Sequence, residues 1–321
     1  MQTIPFDPAR LAPDVLAVLQ GMAAAGVPAL ETLPIPLMRQ AYAQIGALLG
    51  GTPLPMADVR DLHAQGPAGA IPLRLYRPES ASTGPAIVYA HGGGWTAGDL
   101  DTHDKICRRL AQAAGCAVVA IGYRLAPEHP APAGPQDVVA AITWLAANAD
   151  GLAIDPARLA VAGDSAGGSL AAVACQQLRG SAVTLRAQVL FYPSTDLSPA
   201  AREFPARHEN AAMPPLTLAT MQAMVAPFVE GFDPSDPRVS PLRAADLRGL
   251  PPALIYTAAC DVLRDDGRFY AESLRAAEVP VDYVELPGMV HGFVEMAGVL
   301  PAAVHALEHA AAFLRERLAR P

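Results

Sequence analysis

Long uninterrupted hydrophobic runs are missing from this chain of 321 residues, although 52% of it is apolar. No stretch reaches the length that crosses a bilayer, so stable membrane insertion is not expected. The opening Met1-Gln2-Thr3-Ile4-Pro5-Phe6-Asp7 lacks the basic start and apolar centre of a secretory signal. Charge is scarce at 17%, and the net charge of −8 carries no footprint for nucleic acid. No block of like charges suggests a binding tail. Cys107, Cys116, Cys175 and Cys260 are too few for a disulfide scaffold and lack metal-ligand spacing. They read instead as small buried apolar residues. Neither His-Glu-x-x-His nor any clustered ligand set appears, so no metal is expected. Internal repeats and low-complexity linkers are also absent. A soluble chain in a reducing, cytoplasmic setting is the expectation.

What the sequence does contain is an alternation. Asp58 to His63 and Ile71 to Tyr76 flank the turn-rich Gln65-Gly66-Pro67-Ala68-Gly69 and predict a hairpin. Six compact apolar runs follow: Ala86 to Tyr89, Ala117 to Ile121, Leu159 to Ala162, Gln188 to Tyr192, Ala253 to Thr257 and Val281 to Glu285. Such runs suit strands covered on both faces. Helical patterns lie between most of them, at His103 to Ala114, Gln136 to Asn148, Ser169 to Leu178 and Gly267 to Ala277. A last one spans Ala302 to Leu318. The alternation predicts an α/β fold with a mostly parallel, doubly wound sheet. Two helical regions are extra to it. One is the opening fifty or so residues, with Leu11, Val15, Val18, Leu19 and Met22, then Met38, Ala41, Tyr42, Ile45 and Leu49, at helical spacing. The other carries Leu218, Met221, Val225 and Phe228. Together they are expected to form a small helical cap over the site.

The most informative stretch is Gly163-Asp164-Ser165-Ala166-Gly167-Gly168, set between an apolar strand and a helical pattern. Gly-x-Ser-x-Gly in that setting is a nucleophile elbow, a turn so sharp that side chains at the glycines would clash with backbone. A serine needs a base, and the base needs orienting. In elbow enzymes the order along the chain is serine, acid, histidine. His291, His305 and His309 come late enough. His305 and His309 fall in the final helical pattern, where surface placement is the ordinary explanation. His291 lies in Pro287-Gly288-Met289-Val290-His291-Gly292-Phe293, just past a strand, on the edge where parallel sheets gather their sites. It is the expected base. Asp261, Asp265 and Asp266 compete as the acid. The last two are placed to cap the next helix, and Asp261 is nearest the strand end, so Asp261 is expected. For the oxyanion, the amide of Ala166 is one donor. The others should come from His91-Gly92-Gly93-Gly94-Trp95, because consecutive glycines let amides approach a substrate closely. A phosphate cradle is the rival reading of that loop. No Gly-Lys-Ser/Thr and no helix-opening Gly-x-Gly-x-x-Gly supports it.

With Tyr123-Arg124-Leu125-Ala126-Pro127-Glu128-His129-Pro130 and Asp261-Val262-Leu263-Arg264-Asp265 added, these motifs resemble the hormone-sensitive-lipase-like family, the bacterial family IV esterases, across about residues 55 to 315. The resemblance implies an α/β-hydrolase fold: a mostly parallel eight-stranded sheet flanked by helices, with a helical cap. Its triad maps to Ser165, Asp261 and His291, and its oxyanion donors to Gly93, Gly94 and Ala166. His91 and the stretch 123–130 take structural roles on this basis. Arg124 and Glu128 then serve as a buried ion pair or as loop braces. Val262 stands where the family often has proline, which bears on loop stiffness more than on chemistry.

The expected units are 1–52 and 196–232 as the two parts of the cap, and 53–195 with 233–321 as the catalytic domain. The expected activity is hydrolysis of short- to medium-chain, uncharged carboxylic esters through an acyl-enzyme, without a cofactor. An arylformamidase or other amidase would use the same triad. A receptor-like binder would keep the fold without turnover. The resemblance also allows a homodimer through an exposed edge strand.

Overall fold

Apolar runs bounded by glycine and proline become strands when both of their faces can be buried, and five of the six expected runs meet that condition; the sixth, Val281 to Glu285, lies on an edge strand and stays partly exposed. The computed structural model describes residues 7–81 and 84–319. Met1–Phe6, read above for a secretory signal and for the start of the 1–52 unit, lie outside the described residues, as do two residues at the end of the 233–321 unit.

In chain order the elements are α1 (Pro13–Ala24), α2 (Ile35–Leu49), β1 (Asp58–Gly66), β2 (Gly69–Arg77), β3 (Gly84–Ala90), α3 (Asp104–Ala114), β4 (Ala117–Ile121), α4 (Ala133–Ala147), β5 (Ile154–Asp164), α5 (Ala166–Leu178), β6 (Leu185–Phe191), α6 (Pro205–Glu209), α7 (Leu218–Phe228), β7 (Ala253–Cys260), α8 (Arg264–Ala276), β8 (Val281–Val290) and α9 (Pro301–Leu318). The strands form one eight-stranded sheet in the order β1-β2-β4-β3-β5-β6-β7-β8. β1 pairs with β2, and β2 with β4, antiparallel. Every other pairing is parallel. The expected α/β-hydrolase architecture is therefore present. β3 and β4 exchange places relative to chain order, and β5 lies at the centre, so the C-terminal end of β5 opens at the sheet's topological switch.

Two apolar layers cover the sheet. α4, α5 and α8 bury Val138, Leu170 and Tyr270 against one face. α3 and α9 bury Leu110 and Leu314 against the other, and α1 adds Val15 and Leu19, with Leu11 just before it, to that same layer. α2 and α7 are packed differently. Met38 of α2 meets Met224 of α7 and Ala97 in a separate small cluster beyond the strand ends. Thr220 of α7 also donates to Glu31 just before α2, at 2.7 Å.

Several boundaries differ from expectation, and polar or special residues explain them. β5 begins at Ile154, five residues before the apolar run, because Asp155-Pro156-Ala157-Arg158 hides a pairing of Ile154 with Gly84 across a bulge. β8 continues through Pro287 and Gly288 to Val290. It is an edge strand, where a proline removes no ladder bond that the sheet needs. Ala12 donates to the Gly288 carbonyl at 3.0 Å and covers that end of the strand. α5 starts at Ala166 instead of Ser169, and α8 at Arg264 instead of Gly267. Asp265 and Asp266 consequently sit inside the first turn of α8, with Leu263 at the cap position, and do not cap it.

α2 is fastened to the body at two points. Near its start, the Arg39 guanidinium donates to the Thr96 carbonyl at 2.7 Å, the Ala126 carbonyl at 2.9 Å and the Glu128 carboxylate at 2.6 Å. At its end, Lys105, the only lysine in the chain, donates to the Ala47 carbonyl at 2.7 Å. The Arg39–Glu128 contact is exposed and contributes little. The two carbonyl bonds come from a charged donor and are half-buried, so they carry more. Arg39→Ala should cost about 1–2 kcal/mol. It should also free α2 to open, which limited proteolysis in the 25–50 region will detect as faster cleavage at unchanged cleavage elsewhere.

Candidate active site

The elbow is built from backbone in close contact. Ser165 takes φ 54° and ψ −121°, a conformation that side chains rarely adopt. Its N–H donates to the Phe191 carbonyl at 2.9 Å, and its carbonyl accepts from Ser169 at 3.1 Å. A side chain at Gly163 would strike the Gly167 carbonyl, and one at Gly167 would strike the carbonyls of Ala90 and His91. The strained serine persists because its surroundings over-determine it. Ala166 opens α5 directly after it, so the Ala166 N–H is one of the helix-start donors without an intrahelical partner.

β8 delivers His291 to this serine. His291 Nε2 lies 2.9 Å from Ser165 Oγ, and His291 Nδ1 lies 2.7 Å from Asp261 Oδ2. Asp261 comes one residue past β7 and is buried. Its Oδ1 accepts from Leu263 N–H at 2.8 Å, which fixes the carboxylate plane. The Asn210 amide donates to the Asp261 carbonyl at 2.9 Å and braces the same turn. Burial alone would lower the His291 pKa. The Asp261 charge and hydrogen bond, with the Glu295 and Asp164 charges, outweigh it and raise the imidazole above its ordinary 6.5.

Neither of the competing aspartates reaches His291. Asp265 accepts from Ala206 N–H at 2.7 Å, and Asp266 accepts from Thr195 N–H at 3.1 Å while pairing with buried Arg207 at 2.8 Å. Both fasten the segment after β6 onto α8. His305 and His309 are exposed on α9, where His309 Nδ1 meets the Tyr256 hydroxyl.

The glycine loop after β3 faces the serine from the other side. Gly93 and Gly94 have φ 111° and 59°, and both line the cavity with Ser165. A side chain at Gly93 would meet the Ala97 carbonyl, and one at Gly94 the Met224 side chain. Gly93 and Gly94 therefore bring their backbone close to both α7 and the serine. Tyr123 braces the loop by donating to the His91 carbonyl at 2.8 Å, and its ring stacks on that of His91 at 4.2 Å. Burial and the His103 charge hold His91 down to about 4, so it stays neutral. Arg124 pairs with buried Asp137 at 2.7 Å, whereas Glu128 is exposed and pairs with Arg39 instead.

The sequence motifs did not announce a second network beneath the loop. Asp164 is fully buried and accepts from the Tyr89 hydroxyl at 2.7 Å and Gly92 N–H at 3.0 Å, with His103 Nε2 at 3.4 Å. Burial would raise its pKa, but the His103 charge and the hydrogen bonds from His103 and Tyr89 lower it. His103 is raised by Asp164 against the effect of its own burial. Together they anchor Gly92, whose N–H faces both Asp164 and His103 Nε2. The only signal was the Asp between Gly163 and Ser165, inside a motif whose serine drew the attention.

A cavity of about 90 Å³ opens onto Ser165 and His291. α2 walls it with Tyr42, Ile45 and Leu49, α7 with Met221, Met224 and Val225. Its walls are largely apolar, and Gly93 and Gly94 line it together with Ser165. Such a site can polarise a carbonyl, attack it and hold the resulting oxyanion. Because the Cβ of an alanine at 167 would press on two backbone carbonyls, Gly167→Ala should lower stability by about 1–3 kcal/mol or more and displace the glycine loop. Thermal unfolding and ester turnover measured together check this, and a wild-type profile in both contradicts it.

Comparison with known proteins agrees with this geometry. A family model described as the alpha/beta hydrolase fold matches residues 87–295. Carboxylesterase NlhH of Mycobacterium tuberculosis is 47% identical over 256 residues, 77% of this chain and 79% of that protein. Ethyl acetate hydrolase of Pseudomonas putida is 36% identical over 96% of this chain and 99% of its own length. An α/β-hydrolase enzyme from the metagenome of Lake Arreo, Spain, superposes with a TM-score of 0.91 at 42% identity, covering 97% of this chain and all of that one. An esterase of Pyrobaculum calidifontis gives a TM-score of 0.86 at 37% identity, covering 95% and 98%. The chain belongs to the hormone-sensitive-lipase-like family of α/β-hydrolases, and it is a carboxylic ester hydrolase.

Proposed function

We propose that Ser165, His291 and Asp261 hydrolyse uncharged carboxylic esters of short to medium acyl chain through an acyl-enzyme. His291 Nε2 takes the Ser165 proton as Oγ bonds to the ester carbonyl carbon. Negative charge gathers on the carbonyl oxygen, and the amides of Gly93, Gly94 and Ala166 receive it. Asp261 holds the imidazole so that Nδ1 keeps its proton, and it stabilises the imidazolium. The carbon–oxygen bond to the alcohol then breaks, and His291 gives its proton to the leaving oxygen. Water repeats the sequence on the acyl-enzyme, releasing the acid and restoring Ser165. The relay of 2.9 Å and 2.7 Å between Ser165, His291 and Asp261 is the observation that carries this reading.

The largely apolar cavity supports the choice of uncharged substrates, because an anionic group entering it would lose its hydration and meet no lysine or arginine in the walls. Neither the amidase nor the binder reading is favoured by the relatives, which are named as esterases. α2 and α7, on segments 1–52 and 196–232, serve as the cap in this reading. A cytoplasmic setting fits four buried, free thiols. Among the described residues no helix is long and apolar enough to cross a membrane. The strands open for self-association are β1 and β8, at the two edges of the sheet.

Ser165→Ala should lower p-nitrophenyl butyrate turnover by about 10⁴-fold or more and abolish labelling by a fluorophosphonate, at an unchanged melting temperature. Near wild-type turnover in that variant overturns the assignment. His291 must be neutral to act as base, so kcat/KM should fall as pH drops through its raised pKa. Asp261→Asn removes the anion that raises it. The acid limb of the pH profile should then move to lower pH, and kcat should fall by about 10³–10⁴-fold.

A further inference from the structure

Thr220 is engaged with Thr217 and Glu31. The Ser194 hydroxyl and the Trp95 indole N–H also line the cavity without a partner among the described residues; the first belongs to the residue whose own N–H meets the Ser165 carbonyl at 3.4 Å, and the second to a ring stacked flat on Phe228 at 4.4 Å. Two further groups, Tyr42 and Glu295, stand together. The Tyr42 hydroxyl is buried beside the Glu295 carboxyl and forms no well-shaped hydrogen bond among the described residues. Glu295 lines the same cavity four residues past His291, on a turn that its own N–H closes onto the Gly292 carbonyl at 3.0 Å.

Their position relative to His291 decides what they can meet. The ester's alcohol oxygen must lie at His291 Nε2 to receive its proton. The alcohol portion therefore starts beside His291 and Gly292. A Cβ at Gly292 would stand only 3.4 Å from Glu295 Oε1, so that carboxyl borders the space next to the imidazole. Tyr42 reaches the same space from α2, its ring stacked over His103. Around the pair, Ile45, Leu49 and Met296 offer only hydrocarbon.

We infer that Tyr42 and Glu295 form a hydrogen-bonding subsite for the alcohol half of the substrate, selecting esters whose alcohol carries a free hydroxyl two or three carbons from the ester oxygen. The inference rests on the hydrolytic reading above. An alkyl alcohol leaves the buried phenol with only its poorly formed contact to Glu295, whereas a hydroxyalkyl alcohol can accept from Tyr42 and bond to Glu295. Burial, with the Glu295 and Asp164 charges, pushes the Tyr42 phenol well above its ordinary range, so it keeps the proton it donates. Burial raises the Glu295 carboxyl above its ordinary range, against the His103 charge and with the Asp164 charge, while the Tyr42 hydroxyl and His291 oppose the shift. His103 and Asp164, whose side-chain polar atoms lie within 4.8 Å of those of Glu295, are engaged with each other, and of the three only Glu295 lines the cavity.

The test compares kcat/KM for 2-hydroxyethyl and 3-hydroxypropyl butyrate with propyl and butyl butyrate, in wild type, Tyr42→Phe and Glu295→Leu. Wild type should favour the hydroxyalkyl esters by about 10-fold, and each variant should cut that ratio by about 5-fold or more. A wild-type ratio near one, or a ratio that neither variant moves, overturns the subsite. A preference seen only with ethyl 3-hydroxybutyrate over ethyl butyrate also overturns it, because it places the hydroxyl on the acyl half. Turnover of butyl butyrate and fluorophosphonate labelling are read in the same samples. Their loss from wild type defeats the hydrolytic reading, whereas full alkyl-ester turnover with a flat ratio defeats only the subsite.

Discussion

The contact between the elbow and the end of β3 is the constraint on which the site depends. Gly163 and Gly167 let the turn after β5 lie directly on the carbonyls of Ala90 and His91. No side chain fits between these backbones, so the serine loop and the glycine loop cannot move independently. That contact brings Gly93 and Gly94 to the same cavity as Ser165. It also explains why Ser165 tolerates a positive φ, since relaxing it would pull two strands apart. Strain at the serine is thereby exchanged for a preorganised site, which does not have to rearrange as charge develops.

Four buried carboxylates surround this contact, and their partners separate their roles. Asp164 is held charged by His103 and fastens Gly92 from beneath. Asp265 and Asp266 accept from backbone amides of the chain between β6 and α7, so they position that segment. Asp261 alone faces an imidazole whose other nitrogen is free to meet the serine. Identical side chains thus divide between scaffold and chemistry by what lies opposite them. Burial keeps each of them dependent on its partner, because an unpaired charge there would be costly.

The sheet was legible in the sequence because strands covered on both faces are written as short apolar runs, and five of the eight are. Their true lengths were not legible. Asp155 to Arg158 in β5 and Pro287-Gly288 in β8 break the apolar pattern and bulge out of the ladder, yet the strands resume pairing on either side of them. Asp265 and Asp266 looked like helix caps because cap residues and first-turn residues share the same chemistry, and one residue of register decides between them. Ser165, His291 and Asp261 could be selected from chain order and strand ends alone. Asp164, His103 and Tyr89 could not, since their partners lie up to 75 residues apart and no local pattern links them.

By itself the sequence determined the chemistry: an elbow serine, a late histidine after a strand, an acid between them and a run of glycines. These are local patterns, since each needs only a few neighbouring residues to be recognised. Tertiary structure decided which aspartate faces the imidazole, what holds the glycine loop, and which side chains wall the cavity. Tyr42 and Glu295 lie more than two hundred residues apart in the chain and share one cavity wall only because α2 folds over the turn after β8. Proximity of that kind is set by packing of whole elements, which leaves no mark in the spacing of residues along the chain.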